Sequence, residues 1–151
     1  ITYEDKRFYY CNAKTLNLIP SCLAATAAER ANCSEAIFHR DDIVTECAHS
    51  NVSIFKDGYV ITHQLDDKVL PGTARLRLLA FAEKLGYKTE ERDYTLDELM
   101  NADEIIVHST GSFCIPVKTV DGKAVGGKAP EMLKKIQDAL VADFEAQCAA
   151  E

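Results

Sequence analysis

No stretch of the 151-residue chain stays apolar for the ~20 residues that a bilayer-spanning helix needs, so no membrane span is expected. Runs of basic residues are also missing. With 24 acidic and 17 basic side chains the formal net charge is −7, which argues against nucleic acid as the main partner. None of the six cysteines (Cys11, Cys22, Cys33, Cys47, Cys114 and Cys148) stands in a C-x-x-C pair, and no Cys/His spacing suits zinc, so no metal site is expected. His39, His49, His63 and His108 are scattered, with no H-x-x-x-H pair. The P-loop pattern and G-x-G-x-x-G are absent, which removes the usual nucleoside-phosphate cradles. Gly-x-Ser-x-Gly is absent too, which removes the hydrolase elbow. The chain opens at Ile1 with neither an initiator Met nor a secretory leader, and the expectation is a processed chain or a piece of a longer one.

What is present reads as one globular domain. Apolar residues make up 47% and charged residues 27%, and the length is enough to bury a core without disulfides. Reduced, mostly buried thiols in a cytosolic protein are expected. Arg7 to Cys11 is aromatic and apolar and predicts a strand; Asn12 to Asn17 predicts a loop. Pro20 and Ser21 open an Ala-rich helix over Cys22 to Ala31. Glu35 to His39 and Ile43 to Thr45 predict strands, followed by an Asn51–Lys56 and Tyr59–His63 hairpin turned by Asp57-Gly58. Leu76, Leu79, Phe81, Ala82 and Leu85 give an apolar side to a helix over Thr73 to Leu85, with Gly86 at its C-terminal end. Tyr87 to Asp93 predicts an edge strand, and Thr95-Leu96-Asp97-Glu98 has the form of a capping box. Glu104 to His108 and Phe113 to Val120 predict strands, the second turned back by Asp121-Gly122. In a final helix from Pro130, Leu133, Ile136, Leu140 and Phe144 line one face. Hairpins mixed with helices predict a mixed α/β (α+β) domain with a partly antiparallel sheet or barrel-like core and packed helices, not a doubly wound one.

Two features suit an anion. Gly72-Thr73 opens a helix, where free backbone N–H groups and the dipole favour phosphate. Ser109-Thr110-Gly111-Ser112 is a small-hydroxyl loop between apolar strands, suited to close approach of phosphate oxygens. Taken alone, each also reads as a helix cap or a turn. Lys14 lies in a polar segment between an apolar strand and a helix, and Glu46 ends an apolar strand. Taken alone, both also read as solvated surface charges.

The ordered set of segments carries more than any one of them. Cys11-Asn12-Ala13-Lys14-Thr15-Leu16-Asn17-Leu18 is followed by Glu35-Ala36-Ile37-Phe38-His39-Arg40-Asp41, then Val44-Thr45-Glu46 with Ser50-Asn51-Val52. Val69-Leu70-Pro71-Gly72-Thr73-Ala74-Arg75, Thr95-Leu96-Asp97-Glu98-Leu99 and Ala102-Asp103-Glu104 come next. Ser109-Thr110, Ile115-Pro116-Val117 and Asp121-Gly122-Lys123 complete the set. In this order the chain resembles the C-terminal domain of the fold-type IV pyridoxal-phosphate enzymes, most of all the D-amino acid aminotransferases, over nearly its whole length.

The resemblance implies a site. Lys14 matches the lysine that bonds to the cofactor aldehyde and moves the proton between substrate and cofactor. Glu46 matches the glutamate paired with the pyridine nitrogen. Leu70 matches the apolar residue packed on the ring, and Thr73, Ala74, Ser109 and Thr110 match the phosphate cup. The implied cofactor is pyridoxal 5′-phosphate, and the implied partners are an amino acid, a 2-oxo acid and a second copy in a homodimer. Residues 1–151 then form the cofactor-binding C-terminal domain, with the family's N-terminal domain absent from this chain. Lys14, Glu46, Leu70, Thr73 and Thr110 are expected to face one cleft, and the expected location is the cytoplasm.

The chain departs from the family pattern in three respects, the absent N-terminal domain and two local replacements. Gly72-Thr73-Ala74-Arg75 stands where relatives commonly have Gly-Ile-Thr-Arg or Gly-Val-Thr-Arg, so Ala74 takes the usual threonine position. Gly111 and Phe113 replace residues that are often Thr and Glu. The implied activity is amino transfer between a D-amino acid and a 2-oxo acid. Branched-chain transamination, aminodeoxychorismate cleavage and a non-catalytic fragment that keeps only the fold are the alternatives.

Overall fold

In the computed structural model, residues 1–149 are described. The elements run β1 (Thr2–Glu4), α1 (Ile19–Arg30), β2 (Ile37–Arg40), β3 (Ile43–Cys47), β4 (Asn51–Lys56), β5 (Tyr59–Thr62), α2 (Thr73–Lys84), β6 (Lys88–Glu91), α3 (Leu96–Met100), β7 (Glu104–Ser109), β8 (Ser112–Pro116), β9 (Thr119–Val120), β10 (Lys123–Ala124) and α4 (Pro130–Cys148). Five strands form the main sheet in the order β6-β5-β4-β7-β8, and β1-β2-β3 form a second. Among the described residues β5 with β6 and β1 with β2 pair in parallel, and the other strand pairs are antiparallel. This is the mixed, partly antiparallel α/β architecture that the sequence predicts.

Strand alternation sorts the main sheet's side chains onto two faces. Val52 and Ile54 of β4, with Ile105 and Val107 of β7, pack toward the second sheet and α3, meeting Ile37, Val44, Tyr94 and Leu99. Phe55 and Ile106 point the opposite way and pack on Leu78 and Leu79 of α2 and on Met132, Leu133 and Ile136 of α4. Helix α1 covers the far side of the second sheet, with Ala24 and Ala28 against Ala36 and Phe38. The turn at Asp57-Gly58 has φ of 50° and 87°, the left-handed pair that a two-residue hairpin requires.

Several expectations are corrected. Arg7 to Cys11 is not a strand: Tyr10 takes a left-handed φ of 72°, and Arg40 Nη2 draws on the carbonyls of Arg7 and Phe8. The first strand is instead Thr2–Glu4. The buried side of α2 is Ala74, Arg75, Leu78, Leu79 and Ala82, whereas Leu76 is 51% exposed. Phe113 to Val120 is two strands, because after Pro116 the Val117 N–H bonds to the Ile105 carbonyl. Phe144 is half exposed at the end of the α4 stripe. All six thiols are free, but only Cys47 and Cys114 are buried.

Candidate functional site

Strand β3 buries Glu46 at 5% exposure. Its Oε1 accepts from Arg7 Nη1, and its Oε2 accepts from Asn51 Nδ2 at 2.9 Å and from the Leu70 N–H at 3.0 Å. Both oxygens accept, so the group is held as a carboxylate. Burial pushes its pKa up; the charge and hydrogen bond of Arg7 and the Leu70 N–H pull against this, and the net shift is upward.

Arg7 is fixed in turn. Its Nε and Nη2 reach Asp5 at 2.9 and 2.8 Å, Nη2 also donates to the Lys68 carbonyl at 2.9 Å, and the guanidinium lies over the Phe38 ring at 4.6 Å. Burial lowers the pKa of Arg7, and its two carboxylate partners raise it by more. Burial raises that of Asp5, and hydrogen bonds and charge from Arg7, with the charge of Arg40, hold it below the usual carboxylate range. Arg40 Nε adds a bond to Asp5 at 3.1 Å. Two arginines therefore balance two buried acids.

From Glu46 the site runs along one loop to a helix. Asn51 Nδ2 also donates to the Leu70 carbonyl at 3.0 Å, and Gly72 N–H donates to the same carbonyl at 2.8 Å. Gly72 has an ordinary φ of −66°, but a Cβ there would drive into Asn51 Oδ1. Space, not conformation, calls for glycine. As N-cap of α2 it offers no side chain to the helix's free N–H groups, so among the described residues no side chain caps the first turn. Thr73 Oγ1 stands 3.4 Å from Thr110 Oγ1, which the β7–β8 turn delivers. Thr110 is exposed, Ser109 and Leu70 are half-buried, and Ala74 is buried. One end of this arrangement is a fixed carboxylate, and the other is an array of N–H and O–H donors suited to an anion.

Lys14 is exposed on the loop between β1 and α1, and makes no hydrogen bond or ion pair among the described residues. Its loop is tied to the site by one backbone bond, Cys11 N–H to the Asp67 carbonyl at 2.7 Å. The structure thus joins Glu46, Leu70, Thr73 and Thr110 through bonded neighbours, and places Lys14 on an exposed loop fastened to the same segment. A cavity of about 520 Å3 lies elsewhere, lined by Ile1, Glu35, Ser50, Val107, Ile115 and Lys118 among others, and none of the predicted site residues faces it.

Arg7 and Asp5, which the sequence reading did not single out, join the candidate site by fixing Glu46. The available signal was a charged residue opening an otherwise aromatic run. Asn51 and Gly72 were visible only as members of matching segments, without a role.

The family model for amino-transferase class IV matches residues 2–120. The chain is 40% identical over 149 residues to a D-alanine aminotransferase of Listeria monocytogenes, covering 98% of this chain and 52% of that protein. It is also 40% identical over 141 residues to the D-alanine aminotransferase of Bacillus licheniformis, covering 93% and 50%. Among solved structures, the fold IV transaminase CpuTA1 from Curtobacterium pusillum superposes with a TM-score of 0.85 at 25% identity, over 97% of this chain and 52% of that one. The branched-chain amino acid aminotransferase from Escherichia coli gives 0.79 at 26% identity, over 93% and 51%. The chain spans about half the length of the curated relatives it matches.

Proposed function

Because the chain belongs to the class IV aminotransferases, we propose that the protein carrying it moves an amino group between a D-amino acid and a 2-oxo acid with pyridoxal 5′-phosphate. We also propose that residues 1–151 are its cofactor-binding C-terminal domain. The observation that carries the reading is the buried Glu46 carboxylate, pinned by Arg7, Asn51 and Leu70 at one end of a segment whose other end is the open N-terminus of α2. The donor set fits the cofactor. A fixed carboxylate suits a protonated ring nitrogen, and free N–H groups with the Thr73 and Thr110 hydroxyls suit its phosphate.

When bound, the cofactor supplies a ring that takes up the electron pair left when the substrate α-carbon loses its proton. The rest falls to the chain. Glu46 keeps a proton at the ring nitrogen. Leu70 presents an apolar side chain to the ring. Thr73, Ser109, Thr110 and the first backbone N–H groups of α2, including that of Ala74, hold the phosphate. Lys14 supplies the amine that takes the proton from the substrate α-carbon and returns one. In such enzymes the lysine also anchors the cofactor, so loss of Lys14 removes both binding and turnover.

The D-amino acid reading is favoured because the D-alanine aminotransferases match at 40% identity. A branched-chain reading follows from the branched-chain enzymes among the solved structures, at 26–27% identity. Turnover by the full-length protein distinguishes them. Transfer from D-alanine to a 2-oxo acid, lost in Lys14→Ala, is expected. Transfer from L-valine or L-leucine alone would establish the branched-chain reading, and no transfer from either would leave aminodeoxychorismate cleavage or a non-catalytic fold.

A further inference from the structure

His63 follows the end of β5 with 1% of its surface exposed. Its Nδ1 lies 2.8 Å from the Val44 carbonyl, which only accepts, so Nδ1 carries a hydrogen. The ring is thereby oriented, and in its neutral form Nε2 presents a lone pair. That lone pair faces two carboxylates, with Asp66 Oδ2 at 3.1 Å and Asp93 Oδ1 at 3.5 Å. Lys68 Nζ and Gln64 Nε2 each donate to one of these two oxygens, but among the described residues neither donates to Nε2. Two acidic oxygens thus converge on a buried, oriented ring nitrogen, an arrangement that suits a cation.

We propose that His63, Asp66 and Asp93 form a site for a divalent transition-metal ion of the zinc class. The three ligand atoms lie within 4.8 Å of one another. Zinc binds imidazole nitrogen at ~2.0–2.1 Å and carboxylate oxygen at ~2.0–2.2 Å, so neighbouring ligand atoms in a tetrahedral shell stand about 3.4 Å apart. The two separations from Nε2 bracket that value. An imidazole whose second nitrogen donates to a backbone carbonyl is the usual arrangement of a metal-binding histidine. One nitrogen and two carboxylate oxygens suit a borderline ion better than calcium or magnesium, which prefer oxygen alone. Asp93 has a 44% exposed side chain, which leaves a path for the ion and room for water as a further ligand.

The neighbours define the competition. Lys68 Nζ bonds Asp66 Oδ2 at 2.7 Å and Gln64 Nε2 bonds Asp93 Oδ1 at 3.2 Å. Asp66 Oδ1 meanwhile accepts the Lys68 N–H at 2.8 Å, which keeps the carboxylate oriented when the ammonium leaves. A bound ion would displace the Lys68 ammonium and fasten the loop from His63 to Leu70 to the segment that follows β6. The three ligands lie outside every Cys/His spacing rule, because Asp93 joins from the segment after β6.

The test is titration of chelator-treated full-length protein with zinc chloride, read by calorimetry, with cobalt(II) as a spectroscopic probe. One ion per chain is expected at this site, with nitrogen- and oxygen-ligated visible bands from cobalt. Zinc held by the exposed Cys22 or Cys148 would instead give the intense ultraviolet band of a thiolate complex. Asp93→Asn changes a partly exposed side chain, so it keeps the fold. It should weaken binding by about tenfold or more, since losing even an outer partner of a metal ligand costs about that much. Lys68→Met should tighten binding by removing the competing ammonium. Equal titrations for the wild type and Asp93→Asn would overturn the proposal, and would mean that these three side chains hold no ion.

Discussion

At the residue scale, the carboxylate at the centre of the site is set by what surrounds it. Asp5 and Glu46 are both buried and share Arg7, yet their shifts run in opposite directions. Asp5 binds protons less readily in the folded chain than in the unfolded one. Its contribution to stability is therefore full above its unfolded value of about 3.9, and is lost as pH falls through the lower folded value. Glu46 works the other way: its raised folded value favours the folded state when protonated, and this contribution is lost as pH rises through that value. Urea midpoints measured from about pH 6 to pH 3 should fall less steeply in Asp5→Asn than in the wild type. An unchanged slope would mean that Asp5 is not held ionised by Arg7.

Gly72 gives a second residue-scale prediction. Alanine satisfies its φ of −66°, so any penalty must come from the collision with Asn51 Oδ1. Gly72→Ala should destabilise by ~1–3 kcal/mol, the usual cost of overpacking. Adding Asn51→Ala removes the obstructing oxygen along with one donor to Glu46. The double variant should lose less than the sum of the two single losses, as measured by a double-mutant cycle.

At the scale of elements, local chemistry was legible where it was self-contained. The Thr95–Glu98 capping box is present with both of its hydrogen bonds, Glu98 N–H to Thr95 Oγ1 at 3.1 Å and Thr95 N–H to Glu98 Oε2 at 3.0 Å. Thr95→Ala should cost about 1 kcal/mol, read as a shift in the denaturant midpoint. The Asp57-Gly58 hairpin and the Pro-led starts of α1 and α4 were legible for the same reason.

Elements whose form depends on distant partners were not legible. Arg7 to Cys11 has strand composition, but the Arg7 and Phe8 carbonyls are spent on Arg40, 33 residues away in sequence at Arg7, and the Arg7 side chain on Asp5 and Glu46. In α2, hydrophobicity pointed to Leu76, whereas the packing chose Leu78 and the charged Arg75. Arg75 is buried because its guanidinium reaches the His63 carbonyl at 2.9 Å and Glu91 at 2.6 Å. The same limit applies to the site. Lys14, Glu46 and the helix start were readable as an ordered series, but the arginine that fixes the glutamate was visible only after folding.

At the scale of the whole molecule, the exposed apolar surface is concentrated near Lys14. Leu16 is 96% exposed, Ile19 71%, Leu23 59% and Leu18 50%, and together they bound a shallow groove with Cys22 and Thr26. Soluble monomers seldom leave such a cluster uncovered. Light scattering over a concentration series should show this chain associating, and Leu16→Glu with Ile19→Lys should return it to monomer. A chain that is monomeric throughout, with no apolar dye binding, would mean that the groove stays open without a partner.

One peptide group connects these scales. The Leu70 N–H hydrogen is donated to a buried carboxylate, while the carbonyl of the same residue accepts from Asn51 and Gly72. Its exchange with deuterium should therefore be slow, at a rate tied to how firmly Glu46 is held. A ligand that draws on the same oxygen loosens that hold, and exchange quickens. A single backbone amide thus becomes a clock for events at the carboxylate, readable without a chromophore and without turnover.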